Sequence, residues 1–165
     1  MMGEEGQNRK QILIRKAQGR LLKDRYMEKI SDLFHVDTSL TQFIGIEESD
    51  QIVHCFYNSG TPLKKTKKTY SLDSNNKISD VLLEVKKCAR GEYYVFIDSD
   101  WEYCGAFLLN DIEMLNENFV FGKTIIDCFF IVNKNLTDAY LLDYYDDYTE
   151  MGHVYFIDIE YWMTQ

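Results

Sequence analysis

Residues 91–109 read Gly91-Glu92-Tyr93-Tyr94-Val95-Phe96-Ile97-Asp98-Ser99-Asp100-Trp101-Glu102-Tyr103-Cys104-Gly105-Ala106-Phe107-Leu108-Leu109. Two runs of aromatic and aliphatic residues, 93–98 and 103–109, flank a polar tetrapeptide. Such runs favour extended backbone, and so brief a connection joins antiparallel neighbours, because parallel strands need a long crossover. Just upstream the periodicity changes. Ile78, Val81, Leu82, Val85 and Cys88 or Ala89 recur at helical spacing, with Asp73, Ser74 or Asn76 as candidate caps and Gly91 as the stop. Downstream, residues 125–132 are apolar apart from Asp127, which predicts a central strand. Residues 139–145 and 154–162 complete the strand set, with a turn at Asn133-Lys134-Asn135 and a loop at Gly152. Asn110 is placed to cap a short helix over 111–117.

The N-terminal part is less uniform. Residues 8–34 predict a long helix through Ile12, Leu13, Ala17, Leu21, Leu22, Tyr26, Ile30, Leu33 and Phe34, with a possible bend at Gly19 and a mobile tail over 1–7. Asp37-Thr38-Ser39 suggests a cap for a short helix reaching Phe43. Residues 51–57 read as a strand from their β-branched and aromatic content. Residues 58–76, with Gly60, Pro62 and four lysines among 64–68, read as a long polar loop. The sum is a single α+β domain over 1–165. Its mostly antiparallel sheet has five or six strands, two principal N-terminal helices cover one face, and the other face is partly open and lined by tyrosines and acids.

The 165 residues include 24 aromatic side chains, which excludes a disordered chain, because so much apolar area demands a core. No apolar run approaches the ~20 residues that span a bilayer. The start, Met1-Met2-Gly3-Glu4-Glu5-Gly6-Gln7, lacks the basic and apolar parts of a signal peptide, so a cytoplasmic location is expected. Cys55, Cys88, Cys104 and Cys128 have no metal-ligand spacing and are expected as free, mostly buried thiols. Nucleophile elbow, dinucleotide fingerprint and P-loop are all absent, so no cofactor or small-molecule substrate is indicated.

Charge is segregated. The net charge is −9 overall, yet residues 92–165 carry fifteen acids against Lys123 and Lys134, and residues 1–34 carry eight Lys/Arg against five acids. The C-terminal block disfavours nucleic acid and anionic membrane and attracts basic partners. Two clusters concentrate it. In the first, Asp98, Asp100, Trp101 and Glu102 sit on a predicted hairpin turn. A tryptophan beside acids suits an interface anchor, although it equally suits a side chain folded back on the core. In the second, Asp143-Tyr144-Tyr145-Asp146-Asp147-Tyr148-Thr149-Glu150 interleaves carboxylates and tyrosines, with His153 nearby. The candidate partner-binding residues are therefore Asp98, Asp100, Trp101, Glu102, Asp143, Tyr145, Asp146, Asp147, Tyr148 and Glu150.

Three functions compete. The first is a protein-binding inhibitor whose carboxylates stand in for phosphates toward a basic protein. The second is a metal-dependent hydrolase or nuclease, which requires Asp98, Asp100, Asp143, Asp147 and His153 to converge. The third is a nucleic-acid-binding or nucleic-acid-mimicking module; binding requires the first helix and lysines 64–68 to form one basic stripe. In size, charge and helices-then-sheet pattern the chain resembles the cytosolic immunity proteins of bacterial polymorphic and contact-dependent toxin systems. The resemblance implies a cognate toxin domain as partner, bound so that its active site is blocked.

Overall fold

The computed structural model describes residues 4–40, 42–58, 63–72, 77–119, 121, 126–150 and 152–164. Helix α1 spans Glu4–Leu33. Its apolar residues do not form one stripe. Tyr26, Ile30 and Leu33 are fully buried, whereas Leu13, Ile14 and Leu21 point to solvent. Gly19 answers a need for close approach: a Cβ there would lie 2.1 Å from the Tyr103 carbonyl oxygen. After a 3-10 turn at Thr38–Leu40 the chain forms β1 (Gln42–Phe43), α2 (Ile46–Asn58), β2 (Leu63–Leu72) and α3 (Ile78–Cys88). It continues through β3 (Tyr93–Ile97), α4 (Trp101–Cys104), β4 (Phe107–Leu109), a 3-10 turn at Ile112–Met114, β5 (Cys128–Asn133), β6 (Asp138–Thr149) and β7 (Gly152–Thr164).

The seven strands form one sheet in the order β1-β4-β3-β5-β6-β7-β2. Every pairing is antiparallel. Strand β5 is the middle strand, as its continuous apolar run predicts. Side chains alternate across the sheet with period two. One set, including Val95, Ile97, Phe129, Ile131, Tyr140, Leu142, Ile157 and Ile159, packs under α1 and α3. The alternate set, Phe96, Phe130, Val132, Ala139 and Trp162, packs against Phe56 of α2. The Phe56 ring meets those of Phe130 and Trp162 edge-on at 5.4 and 5.8 Å.

Several expectations need correction. Residues 51–57 belong to helix α2, because in the wider window Ile46, Ser49, Ile52, Val53 and Phe56 recur every three or four residues, and Glu47 and Glu48 favour its N-terminus. That helix covers part of the face expected to be open, so the sheet carries helices on both sides. Much of the expected 58–76 loop is strand β2, whose lysines tolerate extended structure because it is an edge strand paired to an acidic neighbour. With β1, this brings the strand count among the described residues to seven. Segment 103–109 is split, since 101–104 is helix α4 and only Phe107–Leu109 is strand. The helix expected over 111–117 is a 3-10 turn, capped by Asp111, whose carboxylate accepts from the Glu113 amide. The helix expected to reach Phe43 is likewise a 3-10 turn followed by β1. Residues 4–7 of the expected tail are helical. Cys55 and Cys88 are exposed, and Cys104 and Cys128 half-buried, so the thiols are less enclosed than expected. Residues 1–3, Gly60, Pro62, the candidate caps Asp73, Ser74 and Asn76, and Ile125 lie outside the described residues.

No described helix is long and apolar enough to cross a membrane.

Candidate functional site

Strands β6 and β7 pair over twelve positions, from Asp138↔Met163 to Thr149↔Gly152. The acid–tyrosine run 143–150 therefore lies mostly in regular strand, not in a loop, and its side chains divide between two faces. Toward the α1 face point Tyr144, Asp146 and Tyr148, beside Tyr155 and His153 of β7. Toward the α2 face point Asp143, Tyr145 and Asp147, beside Phe156 and Asp158.

Aromatic stacking stiffens the hairpin. Tyr144 lies between Phe121 at 5.1 Å and Tyr155 at 5.7 Å, nearly parallel to both. His153 stands 5.0 Å from Tyr155 and stacks on Tyr148 at 4.7 Å. On the opposite face Tyr145 stacks on Phe156 at 5.5 Å. Cross-strand aromatic pairs of this kind each contribute roughly 0.2–1 kcal/mol. The line runs from the core outward to Tyr148, which is 82% exposed. His153 contacts the Asp146 carboxylate through Nε2.

The acids differ in how they are compensated. On β7, Asp158 accepts from Lys67 Nζ at 2.7 Å and Thr69 Oγ1 at 2.6 Å, and Glu160 pairs with Lys65 at 2.8 Å. Burial alone would raise the Asp158 carboxyl, but the bonds from Lys67, Thr69 and Tyr145 hold it below the usual range. Asp143, opposite Asp158 in the register, goes the other way: partial burial and then the Asp158 charge raise it. Neighbouring Cys128 is pushed up to about 12 by burial and by the charges of Asp143, Asp98 and Asp127, so it remains a thiol and not a nucleophilic thiolate. Asp143, Asp147 and Glu150 have no ion-pair partner among the described residues.

The other predicted cluster serves the interior. Asp100 is 4% exposed and pairs with Lys29 at 2.8 Å and Arg25 at 2.9 Å. Asp98 binds Lys29 at 2.5 Å and accepts the Asp127 and Cys128 amides at 2.9 Å. It thereby ties the end of β3 to the start of β5, in a left-handed conformation (φ 46°) that aspartate tolerates. Trp101 is half-buried and meets Phe96 edge-on at 5.1 Å, so it folds onto the core. Glu102 is exposed, and its carbonyl accepts from Arg15 Nε at 2.6 Å. Arg15 also grips Asp50 with both terminal nitrogens, at 2.7 and 2.9 Å, linking α1, α2 and α4.

Sequence reasoning missed Lys29 and Arg25 as the partners of Asp98 and Asp100. A signal was present: Lys29 falls on the helix face of Tyr26, Ile30 and Leu33, and a lysine there requires an acid opposite it. The lysines of 64–68 form no separate basic stripe with α1. Lys65 and Lys67 answer acids of β7 on one face, and Lys68 answers Glu84 of α3 on the other at 2.5 Å. No group of three or more His, Cys, Asp or Glu placed to hold a metal ion occurs among the described residues. Two cavities, of about 460 and 290 Å³, lie along α1 near Phe43 and at the β1–β4 edge, away from the hairpin. No protein-family model matches the chain, and no curated protein or solved structure matches it either.

Proposed function

We propose that this chain is a cytoplasmic protein-binding inhibitor of the bacterial immunity type, neutralising a basic, nuclease-like toxin domain by occluding its phosphate-binding site. The contact surface is the distal half of the β6–β7 hairpin: Asp143, Tyr145, Asp146, Asp147, Tyr148 and Glu150. Glu102 is exposed and remains compatible with a rim contact. Asp98, Asp100 and Trp101 act instead as internal supports.

One observation carries this reading. Asp98, Asp100, Asp158 and Glu160 are neutralised by lysines or arginines of the same chain, whereas Asp143, Asp147 and Glu150 form no ion pair among the described residues and stand beside exposed tyrosines. Uncompensated carboxylates steer a cationic partner, and tyrosines supply apolar contact with a hydrogen-bonding tip. Aromatic stacking on both faces of the hairpin stiffens the ribbon that carries these side chains, which lowers the entropy lost on binding.

The test pairs the chain with the toxin domain encoded beside its gene. Co-expression should restore growth, and the purified domains should associate at a rate that falls steeply with salt. Asp143, Asp146 and Asp147 all changed to asparagine should slow association and flatten that salt dependence. Unchanged kinetics in the triple variant would remove the hairpin from the interface.

A further inference from the structure

Helix α1 carries a second apolar line that its own fold leaves uncovered. Leu13, Ile14 and Leu21 are 60%, 48% and 86% exposed, and Ala17 between them is exposed too. At 3.6 residues per turn these residues lie on the helix face opposite Tyr26 and Ile30. Lys10 and Asp24 extend the same line at its two ends, one positive and one negative.

We infer that this line is a self-association surface, on which α1 of a second copy packs antiparallel about a two-fold axis near Ala17. The residues Lys10, Leu13, Ala17, Leu21 and Asp24 are self-complementary in that arrangement, with Ile14 at the edge facing the aliphatic stem of Arg20. Setting Ala17 against Ala17 places Leu13 of one copy against Leu21 of the other, twice, and Lys10 against Asp24, twice. A parallel pairing would oppose Lys10 to Lys10 and Asp24 to Asp24. A two-fold interface needs one patch that matches itself when reversed, and this line does. The small side chain of Ala17 at the crossing point lets the helix axes approach to roughly 8 Å. Because α1 rests on the body of the molecule through the face of Tyr26 and Ile30, the line of Leu13, Ala17 and Leu21 is left exposed to a second helix. An anionic membrane surface is the competing occupant, since Arg9, Lys16 and Arg20 flank the line. Asp24 on the line itself favours a protein partner that supplies a cation.

Sedimentation of the full chain across a concentration series tests this. The wild type should pass from monomer to dimer. Leu21→Asp should weaken dimerisation at least about ten-fold while the monomer keeps the wild-type circular-dichroism spectrum, since Leu21 is 86% exposed. Lys10→Asp and Asp24→Lys should each weaken it, and the two together should recover it, because reversal of both charges restores every pair in the antiparallel register. A chain that stays monomeric at all concentrations overturns the inference, as does a dimer indifferent to Leu21→Asp or a charge reversal that does not recover. Retention on phosphatidylglycerol vesicles without a dimer in solution overturns it in favour of the membrane. None of these outcomes depends on the hairpin or its toxin partner.

Discussion

Segments 98–102 and 143–150 have nearly the same chemistry, acids interleaved with aromatics, and opposite fates. In the first, Asp98 and Asp100 turn inward onto Lys29 and Arg25, and Trp101 lies against Phe96. In the second, the carboxylates spread along a ribbon that extends past the core, and the aromatic rings stack on one another. Acidity alone therefore does not mark a binding surface. What separates the two is whether a distant part of the chain brings a base to meet the acid.

The strongest way to break this contrast is at Lys29. Lys29→Met should cost about 3 kcal/mol in a urea unfolding experiment, because it removes the buried cation that Asp98 and Asp100 share, leaving Asp100 only Arg25 and Asp98 only backbone amides. A near-neutral result would mean that Asp98 and Asp100 are better hydrated than their burial implies. Next comes Gly19→Ala. Alanine is the better helix former by about 1 kcal/mol, yet its Cβ would strike the Tyr103 carbonyl, so a net loss of about 1–3 kcal/mol is expected. A gain in stability would show that α4 can shift away from α1.

The facing pair Asp143 and Asp158 sharpens the contrast through pH. Asp158 is held below its ordinary range, so its contribution is present above the unfolded-state value and is lost as pH falls through the lower, folded one. Asp158→Asn should lose roughly 1–2 kcal/mol at neutral pH, from the broken charged hydrogen bonds, and much less in acid. Asp143 is raised, so the native protein loses stability as pH climbs from the unfolded-state value through the folded one. Asp143→Asn should be slightly more stable than wild type at neutral pH and converge with it in acid. Parallel pH–stability curves for the two variants would contradict the opposed environments. The smallest effect belongs to Asp147→Asn, expected within about 0.5 kcal/mol at any pH, because that side chain is exposed and has no ion pair to lose among the described residues.

Much of the architecture is legible locally. Helix α3 announces itself by one apolar stripe, and α1 by three- and four-residue spacings whose apolar residues fall on two opposite faces. The short turn around 133–137 dictates antiparallel neighbours, β3 and β4 pair antiparallel even though α4 lies between them, and Ile157, Ile159 and Tyr161 alternate toward the core as their spacing requires, whereas Tyr155 on the same face is exposed. The misread elements fail for identifiable reasons. In α2 a seven-residue window shows alternation, and only thirteen residues reveal the helical repeat. In β2 the apolar residues Leu63, Tyr70 and Leu72 stand only at the two ends, and the lysines between them find their acids elsewhere in the chain, Lys65 and Lys67 at Glu160 and Asp158, more than ninety positions later, and Lys68 at Glu84.

The division between local and distant explains what each level settles. Spacing along the backbone determines period, and hence the α+β composition, the antiparallel connections and the segregation of charge into a basic start and an acidic end. Charge compensation is a contact property. Lys29 and Asp98 stand 69 positions apart, and only folding places one against the other. The same holds for the outward turn of Leu13 and Leu21: the helix is implied by their spacing, but which of its faces meets the sheet depends on where Tyr103 and the rest of the core stand.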